Sequence, residues 1–557
     1  MKRTFSLLVA LSVMILLLPT AALTQEEPEI TLRVLGGVWT GMLQGVQNNP
    51  VADELAKRTG VRLDLNAAAA GSLEEMLTLQ LASDNLMDVI TDVDTGAIER
   101  AGKLLDLEPL IDEYGPNIQA KYGSLFPIWR FNALDDGKIY KLYNLTCVDI
   151  ERQAASETTL GIGIRYDLLK ELGLPAIQST DDWYEVMVQM KERFPTVDGN
   201  DAYPFATFLG EDWSVYWSLL TPFSCGQGLY ERCSTYYLDD GTNIVLSSRE
   251  DTDVYWQAMA FYNRAYREGL FDPQSFEMNF DQLADKLKSG RVYSYATFAD
   301  MSDGAEVFWA GNEGTAERTF AFPDIKTAGY TGKTIWDLSS GEGAGSKILG
   351  ITTANKHPEK TMQFFDFLAS DEGQLLCGRG VEGLHYTLAE DGAIVMNEDT
   401  MNSLKTDDSF LAASGIGSYR FLAQKDAVNA PGQAMWWFLD PAVLQEKYSP
   451  AQKEAYAWLG QALKGDTSVL ESKDLKPLVW SNSISLPEDV EQIINQVSVA
   501  LVNTCPKAIL AESDDAFEAV KQAHFTEMDK LGYDKLVSFM QEEYQKNLPF
   551  MQSLEAK

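Results

Sequence analysis

The chain has 557 residues, of which 45% are hydrophobic, and carries a formal net charge of −37 at pH 7. This length and this apolar content are sufficient for two or three domains with substantial cores. A chain this acidic is repelled by nucleic acid and by anionic membranes, so neither is an expected partner.

Residues 1–24 have the pattern of a secretory signal peptide. Two basic residues precede an apolar run at 5–18, which is too short for a membrane-spanning helix, and small residues follow. We therefore predict export to the periplasm or the cell surface. The first cysteine is Cys147, so the cysteine that carries a bacterial lipid anchor is absent after the predicted cleavage site.

The chain has five cysteines, an odd number for an exported protein. Cys225 and Cys233 bracket the stretch CGQGLYERC and are the candidate disulfide. The C-x-x-C spacing typical of zinc and redox sites does not occur.

The first part of the chain alternates strands and helices. ITLRVLGG (30–37), VRLDL (61–65) and LMDVIT (86–91) are predicted strands, and the helix PVADELAKRTG (50–60) has proline at its start and glycine at its end. This alternation predicts a parallel α/β sheet. Ligands bind beyond the carboxyl ends of such strands, where Asp92 lies.

A second α/β series begins near residue 160. The stretch STDDWYEVMVQMKERFP (179–195) predicts a helix capped by Thr180, with Trp183 on its buried face. A third strand and helix follow at 347–370, and the chain from Pro487 onward has a helical pattern. Low-complexity linkers are absent from the sequence, so we expect domains that are interwoven rather than arranged in series.

Seven stretches resemble the solute-binding proteins of bacterial carbohydrate ABC importers. The resemblance is to the maltose-binding-protein superfamily, and within it to the long branch that includes alginate-oligosaccharide-binding proteins. In chain order the stretches are LQLASDNLMDVIT, LLDLEPLIDEYGPNI, DDGKIYKLYN, GIGIRYDLLKELGL with STDDWYEVMVQMK, YREGLFDPQSF, KSGRVYSYATFADM and KHPEKTMQFFDFLASDEGQLLCGRGVEGLHY.

The resemblance implies an α/β, two-lobe periplasmic-binding-protein (clamshell) fold with interwoven lobes and a helical C-terminus. Lobe one would combine 28–150 with 345–383, and lobe two would combine 151–344 with 384–557. The implied function is binding of a carbohydrate, an oligosaccharide in particular, in the interlobe cleft and its delivery to ABC transporter permease subunits. The protein would act as a monomer and would not be an enzyme.

A sugar site needs aromatic rings for the C–H faces and acids, amides or arginine for the hydroxyl groups. By the resemblance, Trp213 and Trp217 align with a family stretch in which an aromatic ring stacks on sugar, and Trp436 lies near another expected stacking position. Trp39, after the first strand, is a further candidate. The alternative for each of these rings is a place in the core.

Charged candidates accompany these rings. In RGVEGLHY (379–386), Glu382 would accept bonds from sugar hydroxyls while His385 and Tyr386 line the cleft; the alternative is a structural turn in which Glu382 pairs with Arg379. Further ligand-binding candidates in loops are Asp92, Asp300 and Arg420.

Cofactors are not expected, although calcium is an alternative because alginate-type relatives carry a calcium loop. The matching stretch here, PTVDGNDAYP (195–204), offers only Asp198, Asn200 and Asp201 as side-chain oxygen donors. Calcium takes six to eight oxygens, so a metal site at this loop is disfavoured.

Two other functions remain open at this stage. A secreted glycoside hydrolase or polysaccharide lyase also needs aromatics and paired carboxylates, but G-x-S-x-G, H-E-x-x-H and P-loop motifs are absent and the three histidines are scattered. The same fold also carries non-sugar solutes such as peptides.

Overall fold

The fold is described from a computed structural model. It describes residues 29–36, 43–67, 73–91, 96–131, 136–149, 157–211, 213–232, 236–238, 244–246, 253–330, 332, 334, 336, 347–407, 409–466 and 486–555. Trp39, Asp92, Cys233 and the predicted signal peptide lie outside these ranges. Within them, every helix is too short or too polar to cross a lipid bilayer.

The first lobe is built on a six-stranded mixed sheet. In sheet order its strands are β2 (Gly45–Val46), β3 (Val61–Ala67), β1 (Ile30–Gly36), β4 (Val89–Thr91), β15 (Lys347–Ile351) and β5 (Leu142–Asn144). β1 is parallel to β3 and β4, whereas β15 is antiparallel to β4 and β5. The ends of β1, β4 and β5 therefore share one edge with the start of β15, and we call it the carboxyl edge of lobe one.

Helices cover both faces of this sheet. They are α1 (Pro50–Thr59), α2 (Leu73–Ser83), α3 (Gly96–Arg100), α4 (Glu108–Tyr114), α5 (Pro116–Tyr122), α6 (Phe126–Phe131), α13 (Pro358–Ala369) and α14 (Asp371–Arg379). The predicted limits of α1 are confirmed. The Asn49 side chain accepts from Ala52 N–H at its start, and Gly60 ends it at φ 68°, a left-handed conformation suited to glycine.

The second lobe is built on a four-stranded sheet. In sheet order its strands are β14 (Phe320–Ala321), β6 (Leu160–Arg165), β13 (Val292–Phe298) and β9 (Tyr203–Phe205). β13 is antiparallel to β6 and parallel to β9. Phe298 pairs with Leu160, so the end of β13 and the start of β6 lie together, and we call this the carboxyl edge of lobe two.

Helices also surround the second sheet. They are α7 (Tyr166–Glu171), α8 (Thr180–Arg193), α9 (Thr221–Gln227), α10 (Val254–Arg267), α11 (Phe280–Lys288) and α12 (Asp303–Ala310). Small strands extend this lobe as the hairpin β7 (Thr196–Val197) and β8 (Asn200–Asp201), and as β10 (Tyr230–Arg232), β11 (Tyr236–Leu238) and β12 (Ile244–Leu246). Trp183 of α8 is fully buried, as predicted, and its Nε1 donates to Ser294 Oγ of β13 at 3.1 Å.

The chain passes between the lobes at their carboxyl edges. β5 ends at Asn144 on lobe one, and β6 begins at Leu160 on lobe two. The return passage leaves from Trp336, whose carbonyl accepts from Leu160 N–H at 3.2 Å, and enters β15 at the edge of lobe one. β15 is therefore antiparallel to its neighbours because it starts where they end.

Residues 384–466 contain further short elements. They are β16 (Tyr386–Leu388), β17 (Ile394–Met396), α15 (Glu398–Thr406), α16 (Phe410–Ser414), α17 (Pro441–Lys447) and α18 (Pro450–Trp458).

The contacts of this region differ from the predicted assignment of 384–557 to lobe two. Residues 419–426 bond to lobe one: Asn144 Nδ2 donates to Arg420 O at 2.9 Å, and Asn49 Nδ2 donates to Tyr419 Oη at 2.7 Å. Residues from Tyr448 onward bond to lobe two, for example Gln461 Nε2 to Phe322 O at 3.1 Å. The described chain therefore passes from lobe one to lobe two again between residues 440 and 448.

The helical pattern predicted from Pro487 onward is confirmed, and it forms three helices: α19 (Glu488–Ile509), α20 (Asp514–Leu531) and α21 (Tyr533–Glu555). α19 packs on α10 of lobe two, where Asn263 Nδ2 donates to carbonyls at its end. α21 reaches lobe one, where Phe550 stacks on Phe131 of α6 with ring centres 4.5 Å apart. The helical C-terminus therefore contacts both lobes.

A buried ion pair fixes the segment before α17. Arg379, at the end of α14, is fully buried and pairs with Asp440; its Nη2 also donates to Ala434 O at 2.6 Å. Asp440 Oδ1 accepts from Ala442 N–H at 2.9 Å and so caps α17. This arrangement ties residues 434–440 to lobe one.

Asp440→Ala should lower the free energy of unfolding by about 3 to 5 kcal/mol, because it leaves the Arg379 charge buried without its partner. Urea unfolding measures the change. Ser513→Ala is the matched control, since Ser513 only caps α20 at an exposed position and should cost about 1 kcal/mol. Equal losses in the two variants would contradict a structural role for the ion pair.

Candidate ligand-binding cleft

The carboxyl edges of the two lobes are the candidate walls of a ligand cleft, because ligands bind beyond the carboxyl ends of the strands in such sheets. Asp300 follows β13 directly, on lobe two, in a 3-10 turn at Ala299–Ser302. The backbone of Arg420 is bonded to Asn144 at the end of β5, on lobe one. The positive charges of Lys464 and, to a smaller extent, Arg420 act to lower the pKa of Asp300.

Asp300 lies on the floor of this cleft. Its side chain is exposed to solvent, yet its pKa is raised to about 6, chiefly by loss of hydration and secondarily by repulsion from Asp303. A carboxylate that contacts water but is surrounded by protein on most sides is typical of a concave site. The charged form of Asp300 is therefore incompletely hydrated, and a hydroxyl group of a ligand can supply the missing hydrogen bond.

Arg420 is held in a fixed orientation. Its Nε donates to Gly417 O at 2.6 Å, and its Cζ lies 3.9 Å from the centre of the Phe438 ring. Loss of hydration lowers its pKa to about 10, and the charge of Asp300 opposes this change. The guanidinium remains charged at neutral pH and lies in a defined plane, as recognition of oxygen groups requires.

Aromatic rings form one wall of the cleft on lobe two. Trp217 stacks on Phe298, the last residue of β13, with ring centres 5.4 Å apart. Trp213 packs against Phe208 at 5.1 Å and Phe280 at 6.3 Å. Both tryptophans are half-buried, so each retains accessible surface. Trp217 belongs to a π-helical turn, Tyr216–Leu220, a geometry frequent at functional sites.

A buried ionic cluster supports the floor from below. Lys464, 1% exposed, pairs with Asp303 and with Glu306, at 3.1 Å from Glu306 Oε2. Burial acts to lower the pKa of Lys464, but the two carboxylates outweigh it and raise the pKa well above its usual value. Lys464 Nζ also lies 3.4 Å from Ala299 O, so the cluster fixes the backbone next to Asp300.

Trp436 does not reach the cleft. It is 1% exposed, and its Nε1 donates to Gln374 Oε1 at 2.8 Å within lobe one. The predicted stacking role is therefore not supported. Phe438, two residues later in the same GQAMWWF run, takes the place beside Arg420.

The stretch RGVEGLHY folds into a turn. His385 Nδ1 accepts from Val381 N–H at 3.0 Å, Gly383 N–H donates to Tyr386 O at 2.7 Å, and Gly380 and Gly383 have φ values of 89° and 80°. His385 and Tyr386 are 6% and 4% exposed, which leaves little ring surface for a ligand. The geometry favours the structural alternative for both.

Glu382 in the same turn is exposed. Its alternative partner, Arg379, pairs with Asp440 instead. A ligand role for Glu382 stays a prediction.

The three calcium candidates lie on the hairpin β7–β8. Asp198 and Gly199 form its turn at φ values of 51° and 78°, and all three donor side chains are exposed. Among the described residues, groups of three or more His, Cys, Asp or Glu arranged to hold a metal do not occur. Cys225 is buried, and its predicted partner Cys233 lies outside the described residues.

A separate cavity of about 530 Å³ opens at the other end of lobe two. Tyr203 at the start of β9, Arg267 at the end of α10 and Glu512 line part of it. Tyr203 pairs with Val292, the first residue of β13, so seven residues, about 20 Å of strand, separate it from the cleft. The sequence-predicted site residues do not line it.

Sequence reasoning missed Phe298, Phe438 and Lys464. Phe298 carries a usable signal, because it ends the run VYSYATF, rich in residues typical of strands, two residues before Asp300. Lys464 carries none, because its role depends on contact with residues about 160 positions earlier in the chain.

Asp300→Asn tests the loss of hydration at this carboxylate. Its folded-state pKa of about 6 exceeds the value of about 3.9 for an unfolded aspartate. The folded chain therefore binds the extra proton between these values, and this stabilising contribution is lost as the pH rises through about 6. We expect the uncharged variant to melt above the native chain at pH 7.5, with the difference shrinking as the pH falls and approaching zero only below about pH 3.5.

Asp285→Asn is the control, because Asp285 is an exposed acid on α11 and should change the melting temperature at neither pH. A stability difference for Asp300→Asn that does not depend on pH would contradict this assignment of its ionisation.

Comparisons with known proteins agree with this architecture. The family model described as bacterial extracellular solute-binding protein matches residues 48–375, more than half of the chain. The lipoprotein LipO of Bacillus subtilis is 25% identical over 373 residues, which are 65% of this chain and 69% of LipO.

Other relatives extend the likeness to solved structures. The fructooligosaccharide ABC transporter substrate-binding protein FusA of Streptococcus pneumoniae is 24% identical over 324 residues, which are 57% of this chain and 56% of FusA. Its structure with kestose superposes with a TM-score of 0.65 at 16% identity, covering 93% of this chain and 100% of that one. The alginate-binding protein AlgQ2 gives a TM-score of 0.64 at 21% identity, covering 93% and 98%. These structures confirm the two-lobe fold, and the match over 48–375 shows that the chain belongs to the bacterial extracellular solute-binding protein family.

Proposed function

We propose that this chain binds an oligosaccharide in the interlobe cleft and delivers it to the permease of an ABC importer. The observation that carries the proposal is the pairing of two surfaces. Trp213, Trp217 and Asp300 lie on lobe two, and Arg420 with Phe438 faces them from lobe one. Rings beside hydroxyl-binding charges are the chemistry that a sugar requires.

The names of the relatives support this ligand class. FusA is named for fructooligosaccharide, YtcQ of Bacillus subtilis is a polygalacturonan/rhamnogalacturonan-binding protein, and AlgQ2 is alginate-binding. YtcQ is 24% identical over 371 residues, which are 65% of this chain. Because the family is extracellular, the chain is exported and meets its ligand outside the cytoplasm.

The proposed mechanism is a population shift between open and closed lobes. A sugar hydroxyl can donate to Asp300 while a neighbouring oxygen accepts from Arg420, and the sugar ring lies against Trp217. Only the closed form makes both sets of contacts at once, so the ligand favours closure by its differential affinity. The permease then recognises the closed form. Each chain supplies a whole cleft, so a monomer suffices, and the mechanism uses no cofactor.

Among the described residues, Asp300 and Asp303 are poorly suited to act as the pair of carboxylates in glycoside hydrolysis. That reaction needs an acid and a second free carboxylate on either side of the bond. Asp303, next to Asp300 on the floor, is committed to Lys464. We therefore propose binding without bond cleavage.

Trp217→Ala should weaken oligosaccharide binding about tenfold or more, since it removes the ring that stacks on the sugar. Isothermal titration calorimetry with tetrasaccharides measures the affinity, and chromatography of the recovered sugar checks for cleavage.

Trp458→Ala is the matched control. Trp458 is a half-buried tryptophan that packs on Tyr166 at 5.8 Å, at the end of lobe two away from the cleft. Its loss should leave the affinity unchanged. Shortened sugar would overturn the proposal in favour of an enzyme, and equal affinities for the native chain and Trp217→Ala would overturn the site.

A further inference from the structure

We propose that the cavity at the far end of lobe two, which we call the distal cavity, is a second binding site for a small ring compound that carries one carboxylate group. Its volume of about 530 Å³ lies within the range of about 300–1,000 Å³ typical of small-molecule sites. A cavity of this size holds a small molecule rather than a polymer. The inference does not rest on the function proposed for the cleft.

Lys191, in the last turn of α8, supplies a positive charge to the distal cavity. It is half-buried and lines the cavity, and its Nζ lies 5.2 Å from the centre of the Tyr203 ring. Among the described residues, Lys191 is not paired with an acid. A cation that has lost hydration without gaining a counter-ion favours an anionic ligand.

A second lysine near the same ring is already neutralised. Lys286 Nζ lies 5.4 Å from the centre of the Tyr203 ring. It pairs with Asp272, whose side chain is fully buried, and donates to Gln274 Oε1 at 2.6 Å. Lys286 therefore supports the structure next to the cavity, and Lys191 remains available to a ligand.

Arg267, at the end of α10, is the second base of the lining. It pairs with Asp514, but the Asp514 side chain is 93% exposed, and an ion pair so open to water is weak. A ligand carboxylate can therefore compete with Asp514 for Arg267. Glu512 is the acid among the described lining residues. Two bases and one acid suit a single carboxylate better than a dianion.

Tyrosine rings supply the surface for the body of the ligand. Tyr203 and Tyr266 line the cavity and are half-buried, and Tyr266 packs edge-on against Phe271 with ring centres 6.4 Å apart. Leu510, 41% exposed, adds apolar surface. A flat ring packs on such surfaces, and a hydroxyl group on it can donate to Glu512.

The wall that residues 510–512 form is fixed by the protein itself. The buried side chain of Asn263 donates from Nδ2 to Ala511 O at 2.7 Å and to Ile509 O at 3.0 Å. At the start of β9, Tyr203 N–H donates to Arg291 O at 2.8 Å. A site whose walls are already ordered loses little conformational entropy when its ligand binds.

The net charge of −37 opposes an anionic ligand only at long range. At physiological ionic strength, charges more than about 8 Å away are largely screened. The lining of the distal cavity, and not the whole chain, therefore decides which ligand binds. A sugar acid and an aromatic acid both have the required chemistry, a carboxylate on a ring with a hydroxyl group.

The test is a ligand-observed NMR titration of the mature chain with two matched pairs of compounds. Glucuronate is paired with glucuronamide, and para-hydroxybenzoate with para-hydroxybenzamide, so each pair keeps the ring and differs in charge. We expect at least one acid to bind, and its amide to bind at least about tenfold more weakly. Binding of glucuronate alone would identify sugar acids as the ligand class, and binding of para-hydroxybenzoate alone would identify aromatic acids.

Variants of Lys191 assign the binding to this cavity. Lys191→Gln should weaken binding of the acid about tenfold or more, because it removes a hydrogen bond from a charged donor, whereas Lys191→Arg keeps the charge and should retain binding. Lys453→Gln is the matched control, since Lys453 is an exposed lysine on α18 that does not line the cavity. The affinity of the cleft for tetrasaccharides should be the same in all three variants.

Three results would overturn the distal site: neither acid binds, the amides bind as tightly as the acids, or Lys191→Gln binds the acid as tightly as the native chain. Loss of the acid in Trp217→Ala but not in Lys191→Gln would place it in the cleft, which overturns the distal site and leaves the proposed function standing. Failure of tetrasaccharides to bind would overturn the proposed function alone.

Discussion

The partly dehydrated carboxylate of Asp300, placed opposite Arg420 on the other lobe, is the interaction on which the site depends. Alone, Asp300 destabilises the folded chain above about pH 6, because its charged form has less hydration than in the unfolded chain. The Lys464 cluster holds the backbone at Ala299, next to Asp300. In the proposed mechanism, a ligand hydroxyl group donates to Asp300 and a neighbouring oxygen accepts from Arg420. Binding and closure would then be coupled through these two charges.

The topology explains why the site lies at this place. Parallel strands of lobe one end at one edge, and β13 of lobe two ends at the edge that faces it. The described residues from which the chain leaves and re-enters the lobes, Asn144, Leu160, Trp336 and Lys347, also lie at these edges. Arg420 lies in residues 419–426, which bond to lobe one before the chain passes to lobe two. In the proposed mechanism, a rotation of one lobe relative to the other would change the distance between Asp300 and Arg420.

Local sequence signals predicted the elements that depend on neighbouring residues. The proline start and glycine end of α1 and the buried Trp183 are of this kind. For α8 the cap is one residue earlier than predicted, at Ser179, because the Asp182 side chain, at the third helical position, accepts from the Ser179 backbone N–H.

Trp436 and Trp217 look alike in sequence, yet they have different surroundings. Trp436 is buried and donates to Gln374, whereas Trp217 is half-buried and stacks on Phe298 at the end of β13. Distinguishing them requires contacts between distant parts of the chain. For the same reason, the sequence could not predict which lobe residues 419–426 belong to, because their hydrogen bonds are to the distant residues Asn49 and Asn144.

The C-terminal helices contact both lobes, so in the proposed mechanism they affect the free-energy difference between the open and closed forms. α19 is fixed to lobe two through Asn263, whereas Phe550 of α21 stacks on Phe131 of lobe one, and Glu491 lies 3.9 Å from Arg100 of lobe one. A rotation of lobe one relative to lobe two must alter these contacts, because the helices cannot move with both. The exposed ion pair contributes little, but the aromatic stack is worth about 1 kcal/mol. A difference of that size between the open and closed forms changes their ratio about fivefold. In the proposed mechanism, ligand affinity would therefore be set partly at residues that the ligand does not contact.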